Sequence, residues 1–193
     1  MTADHPGAAE PNDEPLLRGM RAVVLLADGV EDLEYWVTVM RLREAGAQVT
    51  AVGMTLDPVK GKNGLGARAD RLAADVDPAD VDGLVIPGGW APDKLRRFPA
   101  ITDLVRAVSD AGKPIGIICH GGLVAISAGI IDRDHPATGS LGIRDDLVNA
   151  GAHFVDEPAF RDGNIVWGRV VDDIPDFERE LVALFAEHNR SRN

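Results

Sequence analysis

The sequence predicts an α/β fold, a mostly parallel sheet with helices on both faces. Three observations predict it. Short continuous apolar runs recur along the chain, stretches with apolar residues at i, i+3, i+4 and i+7 lie between them, and Gly or Pro marks most of the changes from one pattern to the other. A short, wholly apolar run reads as a strand buried on both faces, and the wider spacing reads as one face of a helix. Regular alternation of the two makes successive strands parallel, with ligands bound beyond their carboxyl ends.

Each element follows in order. Residues 22–27 (AVVLLA) form the first strand, and Leu33, Trp36, Val37 and Met40 then give the apolar stripe of a helix that Gly46 can terminate. Residues 49–54 read as the next strand and 60–66 (KGKNGLG) as a turn-rich hairpin. Leu84-Val85-Ile86 runs into Pro87-Gly88-Gly89. Ile101, Leu104, Val105 and Val108 repeat the helical stripe up to Gly112, and Lys113-Pro114 leads into a strand over 115–118. A short strand over 164–167 and a helix with Phe177, Leu181, Leu184 and Phe185 on one face close the domain, with His188 in a frayed end. Three loops therefore converge at the carboxyl edge: after Ala27, after Ile86 and at Cys119.

The bulk properties bound the function. The 193 residues suffice for one domain with a substantial core, expected over 21–193. Residues 1–20 are rich in Asp, Glu, Pro, Gly and Ala and lack the apolar core of a secretory signal, so a disordered tail is expected there. One cysteine excludes an internal disulfide framework, and no apolar stretch approaches the roughly 20 residues of a membrane helix. A formal charge of −11 disfavours nucleic acids and acidic lipid surfaces. The expectation is a cytoplasmic enzyme with neither a nucleic-acid nor a membrane partner. No metal and no cofactor are expected, because His, Cys and carboxylates do not cluster at ligand spacing and Gly61, Gly64 and Gly66 do not join a parallel strand to a helix.

Cys119 carries the chemistry. It stands where the strand over 115–118 must turn into a helix, followed by His120-Gly121-Gly122, an arrangement with the logic of a nucleophile elbow. Helix N-terminal amides stabilise a thiolate, so a thiol pKa well below roughly 8.5 is expected. A lone cysteine is more often an inert core residue, but a core position has no need of the histidine and two glycines that follow.

The elbow IICHGG, the loop PGGWAPDKLRR, the first loop DGVEDLE, the run GIRDDLVNAGA and the segment GRVVDDIPDF together resemble the ThiJ/PfpI family, in its PfpI-like branch. Its superfamily includes the parkinsonism-associated deglycase and glyoxalase III, and shares the fold of class I glutamine amidotransferases. The resemblance spans about residues 21–185. It implies a flavodoxin-like three-layer sandwich, a reactive elbow cysteine, a carboxylic acid beside the thiol, and a homodimer or homohexamer.

Carried onto this chain, the resemblance makes Cys119 the nucleophile and Glu34 the protonated acid against it; a neutral carboxyl donates a hydrogen bond to S⁻ where an ionised one would repel it. His120 matches the histidine after the nucleophile, and the amides of Gly89 and His120 form the expected oxyanion hole. The His120 imidazole is expected to point away from the sulfur, oriented by an acid of a neighbouring subunit at the position of Asp93. Trp90 and Trp167 are candidates to line the substrate site, although large aromatics more often pack in a core or interface, and Arg169 is either a carboxylate or carbonyl partner or half of a surface ion pair. The chain departs from the family pattern at Asp93, where the best-known members have glutamate, at Gly122, where proline is common, and at Gly139-Ser140-Leu141, which replaces Ser-Tyr-Pro.

Two classes of function follow. One is cysteine-dependent chemistry on small reactive carbonyls, of the glutathione-independent glyoxalase or deglycase type; an intracellular peptidase is a variant of it, ranked lower because no histidine is placed to protonate an amide leaving group. The other is a redox-sensing stress protein in which Cys119 is oxidised to a sulfinic acid. A glutamine amidotransferase would need a downstream His-x-Glu and a serine hydrolase Gly-x-Ser-x-Gly; neither is present.

Overall fold

A computed structural model describes residues 15–131 and 133–192. Residues 1–14 of the expected tail lie outside them. Residues 15–20 do not behave as a tail: Leu17 and Met20 are fully buried, and Leu17 N–H donates to the Ala45 carbonyl at 2.8 Å. Their apolar side chains find a place in the core, so ordered packing starts before the first strand.

Among the described residues, eleven strands and six α-helices follow. In chain order they are β1 (Arg21–Leu25), α1 (Asp32–Glu44), β2 (Gln48–Gly53), β3 (Val59–Lys60), β4 (Gly66–Ala67), β5 (Arg71–Leu72), β6 (Gly83–Ile86), α2 (Ala91–Leu95), α3 (Pro99–Asp110) and β7 (Ile115–Ile118). The chain ends with α4 (Gly122–Ala128), β8 (Pro136–Ala137), α5 (Arg144–Ala150), β9 (His153–Phe154), β10 (Ala159–Asp162), β11 (Ile165–Gly168) and α6 (Ile174–Arg192). The main sheet has the order β10-β11-β7-β6-β1-β2-β5, parallel except for the edge strand β10. Helices α1 and α6 pack on one face and α3, α4 and α5 on the other, giving the flavodoxin-like three-layer sandwich.

The central strands β6 and β7 are buried at every position, which is why they read as unbroken apolar runs. Glycines set how closely α6 approaches. A Cβ at Gly83 would lie 2.6 Å from the Phe185 ring and one at Gly116 2.6 Å from Leu181. The aromatic stripe of α6 thus lies directly on the backbone of neighbouring strands. The helix continues to Arg192, whose guanidinium reaches buried Asp82 at 2.8 Å, so His188 lies within an ordered helix and not in a frayed end.

Helix α1 departs from its expected orientation. Leu33, Trp36, Val37 and Met40 do share a face, but it is not the most buried one: Leu33 is 48% and Met40 62% exposed, and Trp36 and Val37 are half-buried at the edge of the core. The buried face carries Asp32, Glu34, Tyr35, Thr38, Val39 and Leu42. Polar side chains are buried there because each finds a partner: Asp32 accepts two backbone N–H groups, Glu34 accepts one, and the Thr38 hydroxyl donates to Glu178.

Candidate active site

The loops after β1, β6 and β7 meet at the carboxyl edge of the sheet, as parallel topology requires. They enclose a cleft of about 300 Å³ lined by Cys119, Glu34, His120, Gly89 and Trp90, together with Glu31, Lys62, Ser140 and the stretch 170–172.

At its floor Cys119 has φ +60°, a left-handed conformation that costs a non-glycine residue on the order of 1–3 kcal/mol. The cysteine itself therefore makes the elbow. Gly121 and Gly122, expected to supply the backbone freedom, have ordinary helical φ values of −53°. Gly121 is needed for space, because a Cβ there would lie 2.4 Å from the Ile86 carbonyl oxygen. Gly88 is needed likewise: a Cβ would come within 2.7 Å of both Cys119 Cβ and Glu34 Oε2.

Glu34 is fully buried beside the thiol. Its Oε2 accepts the Gly88 N–H at 2.7 Å, and Oε1 has no nitrogen or oxygen partner. An oxygen that accepts an N–H leaves the proton of the neutral acid on Oε1, free to donate to the sulfur. Burial raises the carboxyl pKa to about 7, against the lowering by Gly88 and Cys119.

The thiol does not titrate low, as the elbow alone suggested. Burial first, and the charge of Glu34 second, push Cys119 up to about 12, while the Gly89 and His120 amides hydrogen-bond the sulfur and pull it down. Thiol and carboxyl form one coupled system. The upward push from Glu34 belongs to its ionised form; once Oε1 holds a proton, the same contact favours S⁻.

His120 also differs from expectation. The turn of 3-10 helix over Cys119–Gly121 brings its side chain back, with Nδ1 3.3 Å from Cys119 Sγ. Burial, and then Lys62, lower its pKa, so the imidazole is neutral at pH 7 and can accept a proton. Asp93 lies exposed on α2, ion-paired with Arg97 in the turn that follows the helix, and is not among the residues lining the cleft. Trp90 is 63% exposed at the cleft mouth.

Arg169 takes the ion-pair alternative and is not among the residues lining the cleft. Its guanidinium is committed to Asp173 at 2.8 Å and Asp156 at 2.7 Å, bracing the turn whose next residues, 170–172, form a cleft wall. Trp167 is buried behind the elbow, away from the cleft. Sequence reasoning missed Glu31, Lys62, Ser140 and Asp172. Lys62 arrives from a hairpin whose only local signal is its turn chemistry.

Among the described residues no His, Cys, Asp and Glu group is arranged to hold a metal ion, and no helix is long and apolar enough to cross a membrane.

Residues 20–184 match the DJ-1/PfpI family. A deglycase of Pyrococcus abyssi is 37% identical over 165 residues, 86% of this chain and 99% of that protein. A Bacillus subtilis protein named a candidate cysteine protease is 38% identical over 165 residues, 85% of this chain and 97% of its own. Among solved structures, a two-domain Anabaena variabilis protein with DJ-1/ThiJ/PfpI-like and ferritin-like domains superposes with a TM-score of 0.83 at 34% identity, over 85% of this chain and 47% of that one. A reactive-looking cysteine at a strained strand end, a buried carboxyl against it, and relatives of this similarity lead to one conclusion: the chain belongs to the DJ-1/PfpI family.

Proposed function

We propose that the protein is a cysteine-dependent enzyme acting on small reactive carbonyls without glutathione, of glyoxalase or deglycase type. The observation that carries this is the coupled pair: Cys119 faces Glu34, a buried carboxyl that holds its proton to about pH 7. With an α-oxoaldehyde, the thiolate adds to the aldehyde carbon, and the new oxyanion is met by the Gly89 and His120 amides. His120 takes the proton from that carbon and returns it to the adjacent one, leaving a thioester. Water then releases the hydroxy acid and restores the thiol. A cleft of about 300 Å³ suits a substrate of this size. The test is lactate formation from methylglyoxal in glutathione-free buffer. Wild type should form it and Cys119→Ser should not; equal rates would sink the proposal.

A peptidase is the second reading. The Sγ to Nδ1 distance of 3.3 Å favours it, because it supplies the histidine that an amide leaving group needs and that the sequence did not place. Cleavage of a fluorogenic peptide that is lost in Cys119→Ser would establish it.

The assembly we propose is a homodimer or homohexamer in the cytoplasm. The exposed apolar face of α1, continuous with Leu65 on the hairpin, supports self-association, because a closed symmetric dimer needs only one self-complementary patch. Asp93 of a neighbouring subunit would then orient His120. Asp93→Ala should lower turnover while Cys119 remains alkylatable; unchanged turnover would exclude the cross-subunit role.

A further inference from the structure

We propose that Lys62 is an electrostatic positioning residue for the nucleophile, an ammonium fixed in the cleft by buried Glu31 that favours the thiolate form of Cys119. The inference rests on Cys119 being the reactive group.

The hairpin that carries Lys62 is fastened to the start of α1 along its whole tip. Asp32, 2% exposed, accepts the backbone N–H of Asn63 at 2.6 Å and of Leu65 at 2.8 Å. Gly61 leaves room for that carboxylate, since a Cβ would lie 2.3 Å from Asp32 Oδ1. Lys62 N–H donates to the Val30 carbonyl at 2.7 Å, and Gly29 N–H donates to the Lys60 carbonyl at 2.7 Å. The side chain is held as firmly. Glu31, 3% exposed, accepts from Lys62 Nζ at 2.6 Å and from Asn63 Nδ2 at 2.9 Å. A solvated hairpin lysine requires none of these contacts.

No second fixed cation lines the cleft among the described residues. Glu31, Glu34 and Asp172 line it, His120 is neutral, and Lys62 is the one fixed cation among the described lining residues. Without it a thiolate would form beside three acids. A thiolate at Cys119, and Glu34 when ionised, help to raise the Lys62 pKa, after the larger effect of Glu31. Lys62 therefore keeps its own proton. The proton released by Cys119 passes to Glu34, His120 or water.

The test is the pH dependence of Cys119 alkylation by iodoacetamide in the full chain, for wild type, Lys62→Gln and Lys62→Arg. Lys62→Gln should move the midpoint upward by about one pH unit and slow alkylation at pH 7 by about tenfold. Lys62→Arg, which keeps the charge on the same hairpin, should stay close to wild type. High salt should narrow the gap between the two variants, because the Lys62 side chain is 39% exposed. Equal midpoints for the Gln and Arg variants would overturn the proposal even if both differ from wild type, since a purely structural hairpin effect predicts that result. Failure of the carbonyl-enzyme reading looks different: wild type that alkylates but forms no hydroxy acid discards that reading and leaves the Lys62 comparison intact.

Discussion

Helices α1 and α3 carry the same apolar signature and use it in opposite ways. In α3 the stripe Ile101, Leu104, Val105 and Val108 is buried against the sheet. In α1 the corresponding stripe lies at the rim, with Leu33 and Met40 exposed and Trp36 and Val37 half-buried, and a mixed face carrying Glu34 and Thr38 beside Tyr35, Val39 and Leu42 is buried instead. Helical periodicity reports that apolar residues share a face, not which face meets the core. What turns α1 around is the set of partners its acids find inside: the hairpin amides for Asp32, Gly88 N–H for Glu34, and the Glu178 side chain for Thr38. The carboxyls that α1 buries are each held by specific hydrogen-bond donors, whereas the α3 stripe is held by apolar packing.

The largest expected effect breaks the inward face of α1. Glu34→Gln keeps the size of the side chain and removes its proton exchange with Cys119, so turnover should fall by about 10²- to 10⁴-fold with the fold retained. Steady-state kinetics on methylglyoxal measure it, and a variant with near-normal kcat would reduce Glu34 to a structural acid. The counterpart in α3 is Leu104→Ala. It should cost about 2–5 kcal/mol in urea unfolding and leave kcat per folded molecule unchanged, because nothing in that stripe touches the cleft.

Glu178, buried against α1 with Oε2 unpartnered, has its pKa raised by burial to about 7, as Glu34 does. Between pH 4.5 and about 7 the folded protein retains protons that the unfolded chain releases. Both groups therefore contribute stability that is complete below pH 4.5 and is lost as pH rises through about 7. For Glu178 the change is on the order of 3 kcal/mol. Urea midpoints at pH 5 and pH 8 should differ less in Glu178→Gln than in wild type; an unchanged difference would show that Glu178 is ionised in the fold.

The smallest effect belongs to the outward stripe. Met40→Ala should change the stability of a monomer by less than about 0.5 kcal/mol, in contrast with Leu104→Ala. Met40→Glu should lower the mass seen by light scattering if that face joins two copies. A mass that does not respond would place the interface elsewhere.

The main strand and helix alternation, the parallel sheet, the elbow at Cys119 and the convergence of three loops upon it were legible in the sequence, while α2, α5 and the short strands β5, β8, β9 and β10 were not, because long apolar runs and helical stripes are local signals and short elements carry too few positions to show a period. The neighbourhood of Glu34 and the Gly89 and His120 amides became legible through family resemblance. Tertiary structure alone decided the rest. The orientation of α1 depended on partners 31 to 140 residues away, at Asn63, Gly88 and Glu178. The return of His120 to the sulfur depended on a short helical turn, and the loss of Arg169 from the site on acids at 156 and 173. The thiol pKa followed from burial and from a coupled proton on Glu34, which no elbow motif encodes. Lys62 shows the division most plainly. Its hairpin could be read from glycine spacing, but its place beside a nucleophile 57 positions later in the chain arises only when β1, β6 and β7 bring their loops together. Charge acts through space, and a sequence records only order along the chain.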